Sequence, residues 1–113
     1  MSLPWKLRLL FALTALARVM KVEVRAFATL SNLVGGGFLE VELPEGSTVG
    51  DLLAELARRL GRPFREAVME EDGHLSKYVK VFVSGRDIDS LSGFDTTLKD
   101  GDEVALLPPA GGG

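Results

Sequence analysis

The sequence predicts an α+β fold, a mixed sheet with one main helix packed across it, on three observations. In the run 38–43 apolar and acidic side chains alternate strictly from Leu39 to Leu43, the period of a half-buried strand. Val49, Leu52, Leu53, Leu56, Ala57 and Leu60 form one apolar stripe at helical spacing. Strand-like runs stand on both sides of that stripe, in the order β-β-α-(short helix)-β-(β)-β, which packs as one sheet under one helix.

Each element has a local reason. Residues 22–28 alternate well enough for a first strand, and Gly35-Gly36-Gly37 turns the chain into the second. There Leu39, Val41 and Leu43 share one face and Glu40 and Glu42 the other, so the two strands pair as a hairpin. The main helix has Ser47 or Thr48 as its N-cap, with Asp51 placed to complete a capping box with Thr48, and Gly61 stops it. Glu55 and Arg59 lie one turn apart on its outer face. Pro63 opens a short helix through Met69, and Asp72-Gly73 is a turn. Residues 78–83 form a strand with Val79, Val81 and Val83 on one face and Tyr78, Lys80 and Phe82 on the other. Ser84-Gly85-Arg86-Asp87 turns the chain, and a short strand follows near Ile88. Lys99-Asp100-Gly101-Asp102 is a tight turn before the last strand, residues 103–107. Pro108-Pro109 ends that strand, because proline cannot donate to a ladder.

These elements divide the chain into an apolar and basic extension (1–20), a domain (21–109) and a glycine tail (110–113). Three readings of the extension stand open. It has the basic start and short apolar core of a signal peptide, it suits an extra packed helix, and Met20-Lys21 suits an upstream start. Its apolar run is too short for a membrane span.

Composition removes several function classes. With 113 residues, 46% hydrophobic and 26% charged, the chain suits one small folded domain. It has no cysteine, so disulfides, thiolate metal sites and cysteine nucleophiles are excluded, and a reducing, cytoplasmic setting fits. Residues 1–20 carry Lys6, Arg8 and Arg18 and no acid, while the whole chain is −3, so the remainder carries −6. A body this acidic argues against nucleic acid and suits a protein with a basic docking face. His74 beside Glu70, Glu71 and Asp72 reads as a solvated turn, so no metal is expected. Gly35-Gly36-Gly37 precedes no Gly-Lys-Ser/Thr and is no phosphate loop. Arg58, Arg59, Arg62 and Arg65 read as a solvated face. No nucleophile and base are paired, so the chain alone is not expected to turn over a substrate.

The run from Leu98 to the end, Leu98-Lys99-Asp100-Gly101-Asp102-Glu103-Val104-Ala105-Leu106-Leu107-Pro108-Pro109-Ala110-Gly111-Gly112-Gly113, resembles the ubiquitin-like sulfur carriers. These are the small subunit of molybdopterin synthase (MoaD) and the thiamin-pathway carrier (ThiS). Val83-Ser84-Gly85-Arg86-Asp87-Ile88 and Phe27-Ala28-x-Leu30 match more weakly, and Ser31-Asn32 stands where the family often has Arg-Glu. The resemblance spans residues 21–113, and the proline pair favours the molybdopterin branch.

The resemblance implies a ubiquitin-like β-grasp whose Gly113 carboxylate is adenylated and becomes a thiocarboxylate. ATP would be used by an activating adenylyltransferase of the MoeB type, with no permanently bound cofactor. The sulfur would pass to a large subunit of the MoaE type, with neither nucleic acid nor membrane as partner.

The residues suit that chemistry independently. Gly111, Gly112 and Gly113 have no Cβ to obstruct a narrow channel, and Pro108 and Pro109 stiffen the tail's base. Alternation turns Phe82 and Phe27 away from the helix, as a docking face requires. By the resemblance, Leu107 and Ile88 join them as partner contacts. The same tail would serve a protein modifier conjugated through Gly113 to lysines, or a thiamin or cysteine carrier. An interaction module with an inert tail is the reading without acyl chemistry.

Overall fold

A computed structural model describes residues 4–7 and 18–108. The apolar run of the extension, Pro109 and the expected acyl-carrying tail of Gly111, Gly112 and Gly113 lie outside these residues.

In chain order the elements are β1 (Val19–Ala26), β2 (Phe38–Pro44), α1 (Val49–Leu60), α2 (Arg62–Val68), β3 (Lys80–Val83), β4 (Arg86–Asp87) and β5 (Glu103–Leu107). The sheet order is β2-β1-β5-β3-β4. β5 lies parallel to β1 and antiparallel to β3, so the sheet is mixed and its last strand is central.

The expected alternation builds the core. Val22 and Val24, Val41 and Leu43, Val81 and Val83, and Val104 and Leu106 turn to one face and are buried. They pack under Val49, Leu52, Leu53 and Leu56 of α1 and under Phe64 and Val68 of α2. Thr48 is the N-cap of α1. Its hydroxyl accepts from the Asp51 N–H at 3.2 Å while Asp51 accepts from the Thr48 N–H at 2.9 Å, the reciprocal pair expected. At the other end Gly61 has φ 75° and donates to the Ala57 carbonyl.

Four boundaries differ from the sequence reading. β1 begins at Val19, and Met20 is buried, so the strand starts inside the segment assigned to the extension. The strand ends at Ala26 because Ala28 takes φ 52° and opens a 3-10 turn over Ala28–Val34, whose Leu30 and Val34 enter the core. Gly37 returns the chain at φ 96°, where a Cβ would stand 3.2 Å from the Ala26 carbonyl oxygen. β3 starts at Lys80 rather than 78, since Tyr78 lies in a turn. The short strand expected near Ile88 is β4, two residues earlier, and Ile88 itself begins a 3-10 turn.

Glu55 receives both neighbours on its helix, Arg58 at 2.7 Å and Arg59 at 2.6 Å. Hydrogen bonds from these guanidiniums lower its pKa from 4.5 to about 2. Its folded-state pKa is depressed, so its contribution to stability is present above the ordinary glutamate range and is lost as pH falls towards 2. An NMR titration should find the Glu55 carboxyl midpoint near 2, moving upward in Arg58→Ala and Arg59→Ala. Met20→Ala should cost about 2–5 kcal/mol in urea unfolding, the cost of emptying a core site. A residue of a dispensable extension would cost almost nothing.

Candidate functional site

The site is the sheet face opposite the helices, at the end where β5 delivers the chain to Pro108. β5 reaches the middle of the sheet because Val104 and Leu106 are fully buried between β1 and β3. The alternate residues Ala105 and Leu107 therefore look outward, and both are half-buried. Register places Ala105 between Arg25 of β1 and Phe82 of β3, and Leu107 opposite Lys80. Arg25 in turn faces Phe38 of β2 and stacks on its ring at 5.5 Å. The N–H of Phe27 donates to the Leu106 carbonyl at 3.1 Å, which fixes the Phe27 backbone beside the end of β5.

The result is an apolar field of Phe27, Phe38, Phe82, Ala105 and Leu107 at the base of the tail. Phe27 is 44% exposed and Phe38 48%, and Phe82 is half-buried. Phe27, Phe82 and Leu107 are thus all partly exposed near the end of β5, where Phe82 pairs with Ala105 and the Phe27 backbone bonds Leu106. Ile88 is not. It is 2% exposed and packs in the core, because the turn after β4 folds its side chain under the sheet, so it offers no contact to a partner. Phe38 and Ala105 were missed. Strand alternation already put Phe38 on the outer face, but only the β2-β1-β5-β3 order brings it towards Phe82.

Charge frames the field. The next row of the same face is acidic, with Glu40 opposite Glu23 and Glu23 opposite Glu103. Arg25 bonds Glu103 at 3.1 Å, and Lys21 lies 3.8 Å from Glu40. Beside Leu107, the Lys80 ammonium stands 3.2 Å from Asp89 and 3.7 Å from Asp87. These carboxylates raise its pKa, with the Asp89 hydrogen bond foremost. An apolar patch inside a charged frame is the composition of a surface suited to contact with a complementary protein face. Among the described residues no three His, Asp or Glu side chains come together as a metal site. His74 pairs with Asp72 at 2.9 Å in an exposed turn, and that bond lowers the Asp72 pKa. No described helix is long and apolar enough to cross a membrane.

Comparison with known proteins adds a context. Residues 24–113 match the model of the ThiS family. The chain is 35% identical over 94 residues to small archaeal modifier protein 3 of Haloferax volcanii, spanning 83% of this chain and 100% of that one. It is 34% identical over 94 residues to an Archaeoglobus fulgidus protein provisionally described as a sulfur carrier, with the same coverage of both chains. A solved structure from Pyrococcus furiosus, provisionally described as molybdopterin converting factor subunit 1, is 37% identical. It overlays with a TM-score of 0.63 across 80% of this chain and 99% of that one.

Two substitutions separate surface from core here. Phe27→Ser should change stability by no more than about 0.5 kcal/mol, as exposed positions do. Ile88→Ala should lose about 2–5 kcal/mol in the same urea titration.

Proposed function

The chain belongs to the ThiS family of ubiquitin-like sulfur carriers and has their β-grasp fold, and from this premise we propose that it carries sulfur on Gly113 as the small subunit of a molybdopterin synthase. The observation that carries the reading is the run from Leu107 through the proline pair to Gly113. It leaves a central strand at the edge of an apolar face.

The steps follow from the chemistry of a carboxylate. A Gly113 carboxylate oxygen attacks the α-phosphorus of ATP held by a MoeB-type adenylyltransferase, and pyrophosphate leaves. The mixed anhydride is now an acyl donor. A sulfide equivalent attacks the Gly113 carbonyl, the C–O bond to AMP breaks, and a thiocarboxylate remains. A MoaE-type large subunit then receives the sulfur for the pterin of the molybdenum or tungsten cofactor. Ordering a glycine-rich segment inside either enzyme costs entropy, so docking by Phe27, Phe38, Phe82 and Leu107 has to offset it. The chain contributes the acyl group and no turnover of its own, and a cysteine-free chain that works with an ATP-using enzyme suits the cytoplasm.

The likeness to small archaeal modifier protein 3 favours a second use of the same anhydride, in which a target lysine amine replaces sulfide and an isopeptide bond forms.

Intact-mass analysis after incubation with ATP, the activating enzyme and sulfide should show exchange of one oxygen for sulfur in the full chain and none after deletion of Gly113. No exchange, with an enzyme active on another carrier, would remove the sulfur reading. Lysine conjugates recovered from cells would then put the modifier reading first.

A further inference from the structure

β2 is an edge of the sheet, and its hydrogen-bonding pattern shows which backbone groups it leaves over. The ladder with β1 closes with Ala26 N–H on the Gly37 carbonyl at 3.0 Å and Glu45 N–H on the Arg18 carbonyl at 2.8 Å. In the register of the pair, Leu39, Val41 and Leu43 therefore bond to β1. Phe38, Glu40 and Glu42 point their N–H and C=O groups away from the sheet, and no described backbone group meets them. Pro44 ends this free edge, since it has no N–H to offer.

Beside the end of the edge lies a groove of about 500 Å3. Leu43, Pro44 and Ala54 give it an apolar lining, and Asp51 and Glu55 of α1 stand at its wall. Asp51, Ala54, Glu55 and Arg58 share one flank of α1, at helical spacing. Arg58 is already committed to Glu55 through two bonds, at 3.0 and 2.7 Å.

Charge decides the occupant. On the outer face Glu40 and Glu42 are more than half exposed, and among the described residues only the Lys21 ammonium approaches them, at 3.8 and 4.0 Å. A second copy of β2 laid along this edge would bring the same carboxylates against their own kind, which opposes self-pairing. A strand with basic residues at the outward positions meets the opposite situation.

We propose that the β2 edge is a second docking site, separate from the tail, which takes an extended segment of a partner protein as a sixth strand. The segment alternates basic and apolar residues. Its basic side chains lie beside Glu40 and Glu42 on the outer face. Its apolar side chains turn inward, towards the groove between Leu43 and Ala54. Backbone groups of Phe38, Glu40 and Glu42 supply the new ladder.

The test uses the full chain, labelled with 15N, and a blocked peptide alternating lysine and valine. Binding should shift the amides of Phe38, Glu40, Glu42 and Ala54 and slow hydrogen exchange at the first three by about tenfold or more. Methylating the peptide nitrogens that face β2 keeps its charge and removes its donors, and should weaken binding by about tenfold or more. Glu40→Lys with Glu42→Lys should transfer the preference to a glutamate–valine peptide. Equal binding of the methylated peptide would reduce the effect to charge alone and overturn the proposal. So would shifts centred on Phe82 and Leu107, or no shifts at millimolar peptide. Deleting Gly113 should leave this binding unchanged, which keeps the result independent of the sulfur chemistry.

Discussion

The parallel pairing of β5 with β1 is the constraint on which the rest of the molecule depends. Two parallel neighbours cannot be joined by a tight turn, so the chain between them has to cross the sheet. Here the crossing begins at β2 and runs through α1 and α2, whose apolar faces close the core over Val24, Leu106 and their neighbours. The Asp100-Gly101 turn locks the start of the pairing. Lys21 N–H donates to the Asp100 carboxylate at 2.8 Å, and Glu23 N–H donates to the Asp102 carbonyl at 2.9 Å. Because the last strand is central, the chain leaves from the middle of a sheet instead of from an edge.

That position settles what the outer face can be. Every neighbour of β5 contributes one residue to each cross-strand row, so side chains distant in sequence meet in line. Near the tail the row is Phe38, Arg25, Ala105 and Phe82, and one step down it is Glu40, Glu23 and Glu103. Three neighbouring carboxylates repel, and Arg25 and Lys21 relieve that repulsion from the rows on either side. The basic residues are thus partly spent inside the face. What remains towards solvent is an apolar end by the tail and an acidic end away from it.

The two edges are treated differently. β4 has only two residues, too short to template another strand, and the turn after it buries Ile88. β2 is seven residues long and depends on its glutamates and on Pro44 to avoid pairing with itself. Like charge discourages copies of this chain and leaves the edge open to a strand of opposite charge.

Elements with a local cause were legible in the order of the residues. The bounds of α1 follow from its apolar stripe, the Thr48–Asp51 box and Gly61, and the faces of β2 and β3 follow from alternation. The outward direction of Phe27 and Phe82 was legible for the same reason, Leu107 entered through the family resemblance, and the expectation of acyl chemistry rested on the run from Pro108 to Gly113. Packing between elements made Met20 core, drew residues 28–34 away from the strand and back, buried Ile88 and set Phe38 on the outer apolar face. Periodicity tells a side chain which face of its own element it occupies. It carries no information on which strand lies alongside, and burial at strand ends and turns depends on that neighbour.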